Sequence, residues 1–212
     1  MNLERIAPIA GVLFFLFGLV ATLLTLIDSP DFDATGEEIL PYFEDDTGRI
    51  LVGVFLYALA SFVFLFFLGG FRQLLRAAEG GTGWLSNTAL AAGIGGIAVL
   101  AASNAPSFVA ALRADDEELT PDAAQTLFDL GGGLYVFALP LMAAFIVAAG
   151  ILIARTGVFA RWLGWVGVAI GITLLVPFIS FITFGLLVIW VLVVSVIWLG
   201  RGRAPQPSRP AA

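Results

Sequence analysis

The carboxylates are the residues of this sequence whose types and spacing could support chemistry. "DFDATG" (31–36) begins like an EF-hand calcium loop, but that loop requires a bidentate glutamate at its twelfth position, which here is Tyr42. The same letters match the D-x-D-x-T motif of aspartyl-phosphate phosphatases. That motif follows a buried strand of an α/β core, whereas this stretch follows a long apolar segment. We therefore interpret Thr35 and Glu38 as a capping box that opens a short helix.

Three residue types that support most protein chemistry are absent. The 212-residue sequence contains no cysteine, no histidine and no lysine. Without cysteine there is no disulfide, thiolate nucleophile or iron–sulfur cluster. Without histidine the usual haem and zinc ligands are missing, and without lysine there is no Schiff base or Walker-type phosphate loop. We predict no catalytic centre, no metal site and no cofactor, and no feature indicates a nucleic-acid partner.

The apolar residues fall in uncharged blocks long enough to cross a bilayer. Hydrophobic residues make up 60% of the chain and charged residues 12%, about half the charged fraction of a soluble domain. The sequence predicts an all-α, polytopic transmembrane helix bundle with six spans, followed by a disordered cytoplasmic tail over 201–212. The predicted spans are about 6–27, 50–71, 84–112, 134–153, 162–178 and 181–199.

The last two predicted spans share one uncharged run, 162–200. As a single helix this run would be about 58 Å long, almost twice the thickness of the hydrocarbon core. The chain must therefore fold back. Pro177 marks the turn, because proline cannot donate a backbone hydrogen bond and interrupts a helix.

The arginines predict the orientation in the membrane. Six spans place eight of the ten arginines on the side of the termini and fourteen of the sixteen acids on the other side. Those eight are Arg5, Arg72, Arg76, Arg155, Arg161, Arg201, Arg203 and Arg209. Since arginine is retained in the cytoplasm, we predict a plasma-membrane protein with both termini cytoplasmic. The acidic loops "DSPDFDATGEEILPYFEDD" and "ADDEEL" are then extracytoplasmic, as solvated loops or, alternatively, as a weak cation site.

The second acidic loop leads into another predicted short helix. Thr120 is the cap, Pro121 takes the first helical position, and Gly131 ends the helix. Leu127 and Phe128 would then lie on the membrane surface.

Uncharged polar residues gather where the third span approaches the outer interface. "SNAPS" (103–107) is the densest cluster, and further polar residues project beside it. The candidate vestibule residues are Asn104, Ser107, Arg113, Asp129 and Tyr135. They could form an outward-facing ligand vestibule. Equally, the cluster could be a proline-kinked helix end whose freed carbonyls are satisfied by serine and asparagine.

Small residues at helical spacing predict close helix packing. Gly167 and Gly171 form a G-x-x-x-G pattern, and Gly93 and Gly96 follow Ala89 and Ala92 at the same spacing. Such residues let helix backbones approach. Packing within the bundle is the first interpretation. The alternative is association with a second copy or with another membrane protein.

Two stretches carry a resemblance to a family. "EILPYFEDDTGRILVGVFLYALA" (38–60) and "RTGVFARWLGWVGVAIGI" (155–172) resemble segments of bacterial six-span integral membrane proteins, familiar from GC-rich actinobacteria and grouped as a domain of unknown function. The resemblance implies a plasma-membrane location and no assigned activity. It implies no catalytic residues.

The sequence favours a non-enzymatic accessory or scaffold protein of the membrane. No predicted span carries an acid or a base in its interior, and such residues mark proton relays and ion-coupled transport. The alternative is a small-solute or lipid transporter or channel, which needs a polar cavity from Asn104 toward Ser61 or Thr173. An intramembrane enzyme is a third class, but no nucleophile–base pair supports it. A packed or a hollow bundle centre discriminates between the first two.

Overall fold

The chain is all-helical in a computed structural model that describes residues 5–201, and no strand occurs within that range. This confirms the predicted all-α class. The helices are α1 Ile6–Leu26, α2 Gly36–Asp45, α3 Thr47–Glu79, α4 Trp84–Ser103, α5 Ala105–Asp115, α6 Pro121–Thr156, α7 Arg161–Thr173 and α8 Ser180–Arg201. The predicted tail, beyond Arg201, lies outside the described residues.

Five helical segments are long and apolar enough to cross a membrane: α1, α3, the α4–α5 segment Trp84–Asp115, α6 and α8. This supports a membrane-embedded protein. The 33 residues of α3 and the 36 of α6 correspond to about 50 and 54 Å of helix. Both exceed the hydrocarbon core of about 30 Å, so part of each helix must lie outside it.

The predicted fifth span differs from the structure. Instead of a helix over 162–178, α7 ends at Thr173 after 13 residues, and Pro177–Ile179 forms a short 3₁₀ segment before α8. Pro177 accounts for the break, because it has no N–H to bond to the Thr173 carbonyl. Six uninterrupted spans are therefore not confirmed; five helical segments of spanning length are present in residues 5–201.

The start of α6 was predicted correctly, but its end was wrong. Pro121 is the first helical residue, and the Thr120 hydroxyl accepts a hydrogen bond from the Ala123 N–H at 3.4 Å. Gly131 does not end the helix, which continues to Thr156. A side chain on Gly131 would come within 3.0 Å of the Ser103 carbonyl oxygen. Glycine inside a helix costs about 1 kcal/mol, and here it permits close packing of α6 on α4.

The centre of the bundle is filled by aromatic side chains. Phe64, Phe67, Phe71 and Phe145 are fully buried. Their rings contact one another, with centroids 5.0 Å apart for Phe67–Phe71 and 5.7 Å apart for Phe64–Phe145. The Trp190 indole N–H donates to the Leu163 carbonyl at 2.9 Å and joins α8 to α7. The described bundle is therefore packed at its centre.

A second, smaller core lies where α1 ends and α3 and α6 begin. We call this region the cap: residues 28–54 and 105–129, which include α2, α5 and the starts of α3 and α6. Ile39, Phe43, Ala110 and Ala124 are fully buried within it. Leu127 and Phe128 are partly buried against this core. The cap is thus a packed helical unit rather than a pair of loops.

The four glycines predicted to mediate helix packing all face neighbouring helices. A Cβ added to Gly93 would lie 2.7 Å from Leu68 Cδ2, and one added to Gly96 would lie 2.6 Å from Met142 Sδ. A Cβ added to Gly167 would lie 3.2 Å from the Trp190 ring, and one added to Gly171 would lie 2.4 Å from Val147 Cγ2. These contacts lie within the chain, between α3 and α4, α4 and α6, α7 and α8, and α6 and α7.

Candidate functional site in the cap

Arg49 connects the cap to the end of α1. Its side chain, in the first turn of α3, is only 17% exposed. Nη1 donates to the carbonyls of Leu24 at 3.2 Å and Ile27 at 2.8 Å, while Nη2 pairs with Asp46. The last carbonyls of a helix have no partner within the helix. The guanidinium therefore caps the C-terminal end of α1, an apolar helix that has no basic residue in its own last turn.

Two tyrosines complete this connection. The Tyr42 hydroxyl of α2 donates to the Thr25 carbonyl at 2.7 Å. The Tyr57 hydroxyl of α3 lies 3.0 Å from the Thr22 hydroxyl. Thr22 gives its own proton to the Gly18 carbonyl, so Tyr57 must be the donor in that pair. We call Tyr42, Arg49 and Tyr57 the α1 clasp.

Burial stabilises the neutral form of Tyr42. Burial is the main cause that raises the pKa of Tyr42 from 10.0 to about 12, although the nearby Arg49 charge acts in the opposite direction. The phenol therefore stays protonated at neutral pH and remains a donor. Neither Arg49 nor Tyr57 is among the candidate site residues that the sequence alone indicates. The sequence feature that could have indicated this contact is the position of Arg49, a single arginine between an acidic loop and an apolar block.

The surface of the cap is strongly acidic. Segments 28–49 and 113–129 contain fourteen acids and two arginines, a net charge of −12. Asp31, Asp33 and Glu44 are exposed, and so is the run 115–118. Within residues 5–201 no three acidic residues are grouped to hold a metal ion. The arrangement offers a charged surface rather than a coordination site.

Glu38 has a local structural role in the cap. Its carboxylate accepts hydrogen bonds from the Thr35 N–H at 2.8 Å and from the Thr35 hydroxyl at 3.0 Å. The backbone bond is the larger cause that lowers the pKa of Glu38, and the hydroxyl bond adds to it. The predicted capping box at the start of α2 is confirmed.

Asn104 stands at the break between α4 and α5. Its side-chain amide donates to the Leu100 carbonyl at 2.8 Å, and the Ser103 hydroxyl donates to the same oxygen at 2.8 Å. Asn104 also lines a groove of about 270 Å³ between α3 and the α4–α5 junction, with Phe55 and Phe108 among its apolar walls. The polar side chains of "SNAPS" thus satisfy a carbonyl that the interrupted helix leaves without its usual partner.

The other candidate vestibule residues lie elsewhere. Arg113 pairs with Glu118 at 3.6 Å, and both side chains are more than half exposed. The Tyr135 hydroxyl donates to the Ser180 carbonyl at 3.5 Å, and its ring packs against Phe184 of α8. Asp129 is exposed and Ser107 half-buried. The groove beside Asn104 does not include Arg113, Asp129 or Tyr135.

Comparison with known proteins assigns neither a family nor a function to the chain. No protein-family model, no curated protein and no solved structure matches the chain. Membership of the six-span bacterial family therefore stays a prediction from the two stretches that resemble it.

Proposed function

We propose that this chain is a non-enzymatic accessory or scaffold protein of the plasma membrane, which presents the acidic cap on the extracytoplasmic side. The observation that carries the proposal is the filled bundle centre. Buried phenylalanines occupy the space that a transport path would need. The only buried polar side chains in the described range are Ser86, Ser180, Thr183 and Ser195, and none of them is ionisable.

The proposed topology has six passes, the fifth of them interrupted. Gly164 of α7 lies against the backbone of Ala154 in α6, and Ser180 at the start of α8 accepts the hydrogen bond from Tyr135. Nineteen residues of α6 separate these two levels, about 29 Å along the helix. Segment 161–180 therefore covers about the thickness of a hydrocarbon core. Arg201, which donates to the Val158 carbonyl, supports the return of α8 to the first level.

The charge of the cap indicates the kind of partner it suits. A surface with a net charge of −12 attracts basic surfaces and repels acidic ones, and it acts mainly on the rate and specificity of encounter. The buried core of the cap holds α2 and α5 in place, so the acids are displayed on a defined scaffold. A membrane or extracytoplasmic protein with a basic face fits this surface.

The scaffold proposal is tested by site-specific photo-crosslinking in intact cells. A photoreactive residue at Glu44 or Asp116 should form discrete adducts with one protein. The same residue at Phe62, which faces away from the core and is 58% exposed, should form adducts mainly with lipid. A variant with Glu37, Glu44 and Asp45 neutralised should lose the adduct formed from position 116 while its amount in the membrane stays unchanged. Equal adducts in both backgrounds would contradict an electrostatic partner surface.

The transporter alternative is tested in proteoliposomes. If the centre is closed, liposomes shrunk in a small neutral solute should re-swell at the rate of protein-free liposomes, because re-swelling follows entry of the solute. A vestibule that begins at Asn104 predicts faster re-swelling that falls in Asn104→Leu. That result would replace the scaffold proposal.

A further inference from the structure

A lateral groove of about 560 Å³ lies between α1 and α3 near the start of α1. Its volume is in the range of small-molecule sites, about 300–1,000 Å³. The lining includes Arg5, Ile9, Ala10, Leu13, Val63 and Phe66. Arg5 is the one charged residue of this lining, and it stands at one end.

Close contacts behind the groove explain its shape. Ala7 of α1 meets Gly70 of α3, where an added Cβ would come within 2.2 Å of the Ala7 side chain. Gly11 lies so close to Phe67 that its added Cβ would come within 2.8 Å of that ring. On the outer side the larger side chains diverge, and Ile9 and Phe66 stay 46% and 51% exposed. The helices therefore touch along their inner faces and leave a furrow open to the surroundings of the bundle.

We propose that this groove binds an anionic phospholipid of the cytoplasmic leaflet. One acyl chain lies along Ile9, Leu13 and Phe66, and the phosphate accepts hydrogen bonds from the Arg5 guanidinium. Arginine pairs with phosphate through two parallel N–H donors. From residue 5 to residue 13 the groove extends about 12 Å along α1. This length leads from the depth of a headgroup into the hydrocarbon.

The charge around the groove favours an anionic lipid over a zwitterionic one. Eight arginines and two acids lie on this side of the chain in the proposed topology. One of the two acids, Glu79, already accepts hydrogen bonds from the Leu85 and Ser86 N–H groups at 2.9 and 3.0 Å. A zwitterionic lipid brings its own ammonium to neutralise its phosphate, whereas an anionic lipid gains more from Arg5. The leaflet and the count of arginines on this side rest on the proposed topology, whereas the position of Arg5 in the groove does not.

The test uses the full chain in nanodiscs with photoreactive phosphatidylglycerol or phosphatidylcholine as the probe. We expect phosphatidylglycerol adducts on peptides that contain α1 and the middle of α3. Arg5→Gln should weaken phosphatidylglycerol binding about fivefold, the factor that corresponds to one arginine near an anionic lipid surface. Arg5→Lys should retain part of the binding, because it keeps the charge but loses the two parallel donors, and phosphatidylcholine should respond to neither change. Since orientation in a nanodisc is irrelevant, failure here is distinguishable from a wrong topology.

Two further arms separate a groove from simple charge attraction. Leu13→Trp fills the groove and should lower adduct formation. Leu19→Trp places the same bulk on an exposed part of α1 outside the groove and should not. Inorganic phosphate should fail to compete, because the apolar wall supplies much of the binding. Equal adducts from both lipids, no effect of Arg5→Gln, or displacement by phosphate would each overturn the proposal.

Discussion

Arg49 joins two helices that are apolar along most of their length. Apolar helix faces carry few hydrogen bonds or ion pairs that would fix the position of one helix along the other. The Arg49 guanidinium fixes this position, because it donates to the carbonyls of Leu24 and Ile27 at the end of α1 and pairs with Asp46. Tyr42 and Tyr57 add hydrogen bonds to the same helix end. The α1 clasp therefore determines where the first helix ends against the cap.

Replacing Arg49 should destabilise the protein markedly. Arg49→Ala leaves the Leu24 and Ile27 carbonyls without this donor, and hydrogen bonds to a charged group contribute about 2 kcal/mol each. Arg49→Lys should lose less, because an ammonium reaches some of these oxygens but not all of them at once. Thermal unfolding in detergent, followed by loss of helical signal, measures the order of stability: wild type, then lysine, then alanine.

Arg113→Ala is the matched control. Its ion pair with Glu118 is exposed, and exposed pairs contribute about 0–1 kcal/mol. If Arg49→Ala and Arg113→Ala lowered the melting temperature equally, the clasp would have no special role.

The contact between α6 and α7 depends on backbone rather than on side chains. A Cβ on Gly164 would lie 2.5 Å from the Ala154 nitrogen and 2.6 Å from the Gly150 oxygen. Gly171 repeats the approach two turns later, 3.1 Å from the Ala143 oxygen. Backbone atoms cannot rotate away as a flexible side chain can. This contact holds a helix of only 13 residues against the long α6.

Gly164→Leu should therefore separate α7 from α6 and lower stability by about 3 kcal/mol, the upper part of the usual range for overpacking. Gly185→Leu is the control, since a side chain on this helical glycine of α8 meets nothing within 4 Å. Both changes improve helix propensity equally. Melting temperatures of the two variants in one detergent measure the difference. A Gly164→Leu variant as stable as Gly185→Leu would show that α7 is not held by this contact.

The two cores divide the molecule into a membrane bundle and a cap. The bundle core is rich in phenylalanine, whereas the cap core combines four alanines with Ile39, Phe43, Ile50, Val54 and Leu119. Fourteen of the sixteen acids belong to the segments around this second core. In the proposed topology, the long helices cross the bilayer and their ends on one side carry this acidic unit.

The absence of cysteine from the sequence permits a direct test of the six passes. Phe178→Cys, at a position 99% exposed in the break after α7, should react with a membrane-impermeant maleimide in intact cells. Asp116→Cys in the cap should behave in the same way. Thr82→Cys, between α3 and α4, should react only after permeabilisation. Protection of position 178 until permeabilisation would instead place α7 at the inner surface, with five crossings and an extracytoplasmic C-terminus.

Features that depend on residues close together in the chain are predictable from the sequence. Helical class and apolar blocks follow from composition and length, and the caps at Thr35 and Thr120 require partners only three residues away. Pro177 marked the break in the last apolar run, but the carbonyl it affects belongs to Thr173, so α7 ends earlier than predicted.

Contacts between residues that are distant in the chain become visible only in the folded structure. Gly131 continues a helix because α4 packs against it, and Arg49 bonds to carbonyls more than twenty residues away. Whether the centre is filled depends on rings from α3, α6 and α8 together. Local patterns specify backbone preferences. The sum of packing free energies over all helices selects which of the allowed arrangements forms.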